Sequence, residues 1–313
     1  MSGGGSLEAE RGGAAPEGSP VDSTSTRTVA LIGPGRAGTT IALALSGRGW
    51  EITAVAGRAP DARSTLTAAA CLDVPAVLVS EAGTGASLVV IATPDAAIEA
   101  AARSVAPSVE AGALVIHLSG AQGLGVFASM LDKRPDIRVG ALHPLQSFPS
   151  VSTGLARLPG AWAAVTGDPE VRDLALLLDL RPFDLPDAER VRYHATAVVA
   201  SNHLVALIGQ VQRMAAACGV PFEAFAPLAL ASLENAFRLG PAAALTGPVA
   251  RGDLQTIEKH IAEMAPAERD AYRALAREAA RLVEKRDSAL SRLLGDVLGA
   301  ERTTDGGAAS AGD

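Results

Sequence analysis

The sequence predicts an α/β protein in two parts, a doubly wound parallel sheet followed by an all-helical domain. Three observations carry that expectation. Apolar runs and helical stretches alternate from Arg27 to about Val165, opening with "RTVALIG", "AGTTIALALSGRG" and "EITAVAGR"; alternating βα units of this size imply a parallel sheet with right-handed crossovers. "GASLVVIATPD" and "GALVIHLSG" are continuous apolar runs, the pattern of strands covered on both faces. Beyond about Pro186 no strand-like run recurs, and the pattern is helical.

The elements follow in order. "IRVGALHP" and "GAWAAVTG" read as further strands of the sheet. "AERVRYHATAVVASNHLVALIGQVQRMAAACGVP" reads as one long helix that stops at Gly219, with Pro221 just beyond, the usual order of stop signals. "FEAFAPLALASLENAFRLG" and the stretch opening at "GDLQTIEKH" are helical, on either side of the loop "GPAAALTGPVARGD". The domains expected are a Rossmann-type domain over 27–170 and a helical domain over 185–298, with the boundary between about 166 and 186. Residues 1–26 and 299–313, rich in Gly, Ser, Ala and acids, are expected to be disordered tails, and the first has no apolar stretch of the signal-peptide kind.

Composition excludes several classes of function. The chain has 313 residues, 48% of them hydrophobic and 19% charged, and a net charge of −7. The first 26 residues hold four acids and one base and the last fourteen three acids and one base, so the body carries about −2, which argues against nucleic acid as a partner. Cys71 and Cys218 match no disulfide or CxxC framework, consistent with a reducing cytoplasm. Tyr193 to Gln212 contains no Lys, Arg, Asp or Glu; its His194, Ser201, Asn202, His203 and Gln210 suit a helix buried in protein, or shared in a dimer, better than one in lipid. Five histidines without HxxxH or clustered carboxylates give no metal site.

"VALIGPGRAG" sets Gly33, Gly35 and Gly38 in a G-x-G-x-x-G array between a strand and a helix. Gly33 permits the turn, Gly35 the approach of a pyrophosphate, Gly38 the packing of helix on strand, and the helix N-terminus faces the phosphate charge. Arg36 and Ala37 complete that loop. At the end of the second strand stands Arg58, where an NAD site would carry an acidic residue; a guanidinium suits a 2′-phosphate, so NADP(H) is the expected cofactor. Ligands bind outside the carboxyl ends of strands in such sheets. Thr93-Pro94, His117-Leu118-Ser119-Gly120 and His143-Pro144-Leu145-Gln146 all follow apolar runs and should line that edge. Ser119 is a candidate donor to a substrate oxygen, His143 and Gln146 candidates to orient it, each set against a loop-capping role. At 100° per residue His194, Ser201 and Asn202 share one face of the long helix, with His203 opposite.

"GPGRAG", "TPD", "HLSGA", "HPLQSF", "YHATAVVASNHLVAL" and "ALTGPVARGD", the last followed by Thr256 and His260, resemble the family of Rossmann-like proteins with a DUF2520 C-terminal domain, over about residues 27–285. That family is similar to the superfamily of 6-phosphogluconate, β-hydroxyacid and prephenate dehydrogenases, ketopantoate reductase and pyrroline-5-carboxylate reductase. The resemblance implies an N-terminal NADP domain, a helical domain that often dimerises, and hydride transfer in the cleft between them. The lysine that β-hydroxyacid dehydrogenases use on the long helix is missing; His194 and Asn202 stand there instead. The expectation is an NADPH-dependent reductase of a small carbonyl or imine acid, such as a 2-keto acid. His194 or His143 would give the proton, Ser119 and Asn202 polarise the oxygen, and Arg251 hold the anionic end, with Asp253 and Asn235 nearby; for Asp253 a helix N-cap is the competing role. Three alternatives stand beside it, a deazaflavin-dependent NADP reductase, a non-catalytic NADP sensor or scaffold and, against the histidine spacing, a metal-dependent enzyme.

Overall fold

The computed structural model describes residues 27–284 together with Gly295 and Leu298; the expected tails, 1–26 and 299–313, lie outside the described residues. Eight strands form one sheet: β1 (Thr28–Ile32), β2 (Glu51–Ala56), β3 (Ala76–Val77), β4 (Leu88–Ile91), β5 (Leu114–His117), β6 (Arg138–Pro144), β7 (Trp162–Gly167) and β8 (Arg181–Asp184). Their order is β3-β2-β1-β4-β5-β6-β7-β8, with every pair parallel except β6–β7. Helices α1 (Arg36–Ser46), α2 (Arg63–Leu72), α3 (Ile98–Val105), α4 (Ala128–Leu131), α5 (Val151–Arg157), α6 (Glu170–Leu177) and α7 (Arg190–Val198) accompany the strands.

Alternation along the strands builds two cores. Val29, Leu31, Val55, Val90, Leu114 and Ile116 point to one face of the sheet, and Ala30, Ile32, Ala56, Val89, Ile91 and Val115 to the other, as the two-residue period requires. The four residues of β4 are at most 1% exposed, and each such side chain contributes about 1.5–3 kcal/mol relative to exposure. The order reverses between β1 and β4, the place where a doubly wound sheet opens a crevice at its carboxyl edge.

The chain divides into two compact units, one ending at Ser201 and the other starting at Asn202. The second contains α8 (Leu204–Ala217), α9 (Ala226–Leu239), α10 (Pro241–Ala244), α11 (Gly247–Arg251), α12 (Leu254–Glu263) and α13 (Pro266–Glu284), with Val249, Ile257, Ala276, Ala280, Val283 and Leu298 at its core. A bidentate ion pair from Arg213 to Glu268, at 2.7 and 3.1 Å, and a 3.0 Å bond from Gln210 to the Glu268 carbonyl tie α8 to α13.

The sequence reading is corrected at the long helix. Its backbone runs on without a break from α7 to α8, as read, but through a π-helical turn at Val199–His203 rather than as a regular α-helix. It is not buried in this chain, since Val191, Val199 and Val205 are 73%, 57% and 72% exposed. Strand β8, with the sequence RPFD, went unread because it is short and half polar. No helix among the described residues is long and apolar enough to cross a membrane.

Candidate active site

The β1–α1 turn is shaped by contacts that only glycine allows. Gly33 has φ +90, and a Cβ there would lie 2.5 Å from the Thr93 amide nitrogen and 2.6 Å from the Ala92 carbonyl carbon. Backbone cannot yield as a flexible side chain does, so Gly33 is what lets the ends of β1 and β4 meet. At Gly38 a Cβ would lie 2.7 Å from that of Ala92, the close helix–strand packing expected. Gly35 differs: nothing stands within 4 Å of its Cβ position, it caps α1 without a side-chain bond, and the first turn of α1 has no acidic residue. First-turn N–H groups have no partner within a helix, so Arg36, Ala37 and Gly38 open α1 towards free space with positive polarity.

Two buried hydroxyls beside this turn lack partners. Thr93 Oγ1 follows β4, and Thr65 Oγ1, on a fully buried residue of α2, lies against Gly57 at the end of β2. Buried polar groups without partners are uncommon and costly; here they flank a glycine turn and an uncapped helix, an arrangement that fits a dinucleotide. Arg58 is exposed and makes no ion pair among the described residues. Pro94 is exposed and precedes a short 3₁₀ turn from Asp95. Arg36 is used otherwise, donating to the Pro149 carbonyl at 3.1 Å and so holding the loop after β6 near α1.

A polar cluster lies at the ends of β5 and β6 and the start of α7. His117, the last residue of β5, is fully buried; its Nδ1 accepts the Ser119 N–H at 3.2 Å, and its Nε2 has no partner. Burial, helped by the charge of Arg190, lowers its pKa to about 4. The Ser119 hydroxyl oxygen accepts the N–H groups of Ala121 and Gln122 at 3.1 and 3.0 Å, which folds the turn into Gly120. His143, near the end of β6, has Nδ1 2.7 Å from the Tyr193 hydroxyl. Burial first, then the neighbouring His194 and Arg190, lowers the His143 pKa to about 4. His194 stands edge-on to His143 with ring centroids 6.0 Å apart, and its Nδ1 is sealed from solvent without a partner. Both rings rest on Gly120: a Cβ there would lie 2.6 Å from His194 Nδ1 and 2.8 Å from His143 Nε2.

Arg190 holds the cluster together. It is fully buried, donating to Ser119 O at 3.1 Å, Thr166 Oγ1 at 2.7 Å and Asp187 Oδ1 at 3.2 Å. Asp187 Oδ2 in turn accepts the Leu124 N–H at 2.7 Å. The guanidinium thus ties the turn after β5 to β7 and α7, and its charge is answered by Asp187.

The expected site residues therefore separate. Ser119, His143 and His194 come together; Arg190, Tyr193 and Asp187 join them unpredicted. Gln146 donates from Nε2 to the Arg157 carbonyl at the end of α5 at 3.3 Å, and its Oε1 accepts the Ser147 N–H at 2.9 Å. Ser201 lies in the π-turn, where the angle per residue departs from the 100° of a regular α-helix, and donates its hydroxyl to Ala197 O at 2.7 Å. Asn202 is exposed and begins the second unit. There, Asn235 accepts from Arg238 at 2.8 Å. Asp253 is the N-cap of α12, bonded to Thr256 N at 3.1 Å and Oγ1 at 2.7 Å, and those bonds hold its carboxyl below the usual range. Arg251 ends α11 exposed. No group of three or more His, Cys, Asp or Glu among the described residues could hold a metal ion.

Comparison with known proteins matches residues 15–144 to a Rossmann-like domain and 162–279 to DUF2520, a domain of unknown function. No curated protein matches. Among solved structures, one from Bacteroides fragilis described as a "putative NADP oxidoreductase" is 23% identical with TM-score 0.69, covering 81% of this chain and 97% of its own. A Thermotoga maritima protein is 22% identical with TM-score 0.63, over 83% and 99%. A pyrroline-5-carboxylate reductase from Coxiella burnetii is 16% identical with TM-score 0.53, over 87% and 98%. At these identities the likeness is one of fold.

Proposed function

We propose, from the premise that this chain belongs to the Rossmann-like proteins carrying a DUF2520 domain, that it is an NADPH-dependent reductase of a small carbonyl or imine acid. The observation that carries this reading is the glycine turn at the sheet's switch point, with an uncapped helix and two unpartnered buried hydroxyls beside it. The NADP and pyrroline-5-carboxylate chemistry named for the similar structures agrees with it. Gly33, Gly35 and the first turn of α1 would hold the pyrophosphate, and Arg58 the 2′-phosphate. Reduced nicotinamide, when bound, supplies a hydride. The chain's own task is to orient the acceptor and supply a proton, for which His194 and His143 are the available groups.

Self-association through the helical unit is part of this proposal. Helix α9 has no buried residue, and Leu230, Leu233 and Phe237, which share one side of it at 100° per residue, are 67%, 40% and 85% exposed, an apolar side of the kind that marks interaction sites. Light scattering should find a dimer that Phe237→Glu dissociates; a monomeric wild type refutes this part.

Fluorescence titration of the full chain with NADPH and NADH tests the cofactor reading. NADPH should bind tighter, and Arg58→Asp should weaken it at least about tenfold, about 1.4 kcal/mol, while leaving NADH nearly unchanged. Binding of neither nucleotide refutes the reading, and with it the two NADP-binding alternatives.

A further inference from the structure

The arginines of β6, α6, β8 and α7 are paired with acids, with one exception. Arg138 meets Asp168 and Glu170, Arg172 meets Asp184, Arg190 meets Asp187 and Arg192 meets Glu189. Arg181, the exposed first residue of β8, makes no side-chain hydrogen bond or ion pair among the described residues; its guanidinium lies 6.0 Å from the centroid of the Trp162 ring instead. The acids closest to it in sequence are already taken, Asp179 by Arg48 and Asp184 by Arg172. A guanidinium set over an aromatic ring uses its flat face and keeps its edge free, and that edge carries the N–H groups that fork onto a carboxylate.

The sheet puts this cation at the ligand-binding edge. Strand β7 runs antiparallel to β6, Leu145 N–H bonds to the Trp162 carbonyl at 2.7 Å, and Trp162 pairs with Arg181. Arg181 therefore stands level with the carboxyl end of β6, where ligands of such sheets bind. His143 pairs with Ala164 and Ala164 with Phe183, so by the two-residue period His143, Phe183, Trp162 and Arg181 belong to one face. Rings fill that face in a row: Trp162 stands 6.2 Å from Phe183, Phe183 stands 5.9 Å from Tyr193, and the Tyr193 hydroxyl is 2.7 Å from His143 Nδ1. We propose that Arg181, braced on Trp162, takes up the carboxylate of a small organic acid. Taken with the reductase reading, on which the identity of that acid as the substrate rests, Arg181 is a specificity-determining residue that favours carbonyl or imine acids over their uncharged counterparts. The role expected of Arg251 thus passes to a residue of the sheet. Edge strands commonly carry a charge that keeps them from pairing with other chains, but that role alone predicts no ligand, and the experiment separates the two.

The test uses the full chain without nucleotide. The chain has two tryptophans, Trp50 at 6% exposure and Trp162 at 52%, so a ligand on Arg181 reports through Trp162. At millimolar concentration 2-oxobutyrate should quench the emission and bind in calorimetry, whereas its methyl ester, which keeps the carbonyl but lacks the charge, should do neither. Trp162→Phe should remove the quenching. Arg181→Met should weaken binding at least about tenfold, and Arg181→Lys should recover only part of it, because an ammonium lacks the fork. Both positions are exposed, where substitutions seldom endanger a fold. No response to 2-oxobutyrate, an equal response to the ester, unchanged binding in Arg181→Met, or a loss found in Arg251→Met instead overturns the proposal. The NADPH titration decides the reductase reading separately: carboxylate binding that depends on Arg181 in a chain that binds no nicotinamide nucleotide would refute only that reading, and NADPH binding without a carboxylate response would refute only this assignment.

Discussion

Gly120→Ala tests whether the packing of the histidine pair is as tight as the geometry implies. Gly120 is buried, and its φ is not in the positive range that only glycine adopts easily, so alanine brings no backbone strain. The cost comes from the added methyl, which would stand 2.6 Å from His194 Nδ1, 2.8 Å from His143 Nε2 and 2.9 Å from its Cε1. All three are atoms of rigid rings rather than ends of flexible chains. Overpacking of this kind costs about 1–3 kcal/mol. If His143 swings aside, its bond to Tyr193 is lost as well, about 0.5–1.5 kcal/mol more. The expected destabilisation is therefore about 2–4 kcal/mol, which for a unit of this size lowers Tm by roughly 4–16 °C. Thermal unfolding followed by circular dichroism measures it, with NADPH titration as the control: Gly120 lies at the end of β5, away from the β1–α1 turn, so affinity should change by no more than about threefold, under 1 kcal/mol. A Tm unchanged within about 1 °C, against the expected fall, would show that the rings have room and would remove the basis for pairing them.

The other predictions concern the turn, the histidines and the arginine. Gly33→Ala should destabilise strongly, since its Cβ meets backbone on two sides at φ +90, whereas Gly35→Ala, with open space around it, should leave Tm nearly unchanged yet weaken NADPH binding; equal Tm losses in the two variants would contradict the geometry. For pH, His117 and His143 titrate near 6.5 when unfolded and near 4 when folded. The unfolded chain therefore binds more protons between those values, and stability falls as pH falls from about 6.5 to about 4, by up to about 3 kcal/mol per histidine. Urea unfolding across that range should show a steeper decline in wild type than in His143→Gln, and parallel curves would refute the low value for His143. Arg190→Met should cost about 2–4 kcal/mol, leaving Ser119 O and Thr166 Oγ1 without their donor, and Arg190→Lys should recover less than half because an ammonium cannot reproduce the fork; full rescue by lysine would argue against the three-partner geometry.

The fold was legible because its signals are local. Strand LVVI is apolar throughout, and LVIH up to its terminal histidine, since they are covered on both faces, and the glycine turn announces itself by spacing alone. β8 was missed for the converse reason: RPFD is held by pairing with β7, over Trp162↔Arg181 to Val165↔Asp184, rather than by composition. Gln146 and Asp253 were read for their chemistry, but bonds to the neighbouring Ser147 and the end of α5, and to the helix N-cap, engage them, the usual competition for polar side chains near element ends.

Helix α7 shows how far helical arithmetic reaches and where it stops. At 100° per residue, with Arg190 at zero, Tyr193 falls near −60° and His194 near 40°, while Arg192 falls near −160°. The same count that grouped His194 with later residues thus places Arg190 and Tyr193 on its face and Arg192 opposite. The structure agrees: Arg190 is 0% exposed and the Arg192 side chain 80%. That signal was present in "RVRYH" and needed only to be followed towards the start of the helix. Followed the other way the count loses its fixed step, because the π-turn at Val199–His203 changes the angle per residue. A helix that keeps its period through the histidine and breaks it just after is one whose first two turns are fixed to the sheet by Arg190, so the residues to test first as partners of His194 lie before it in the chain.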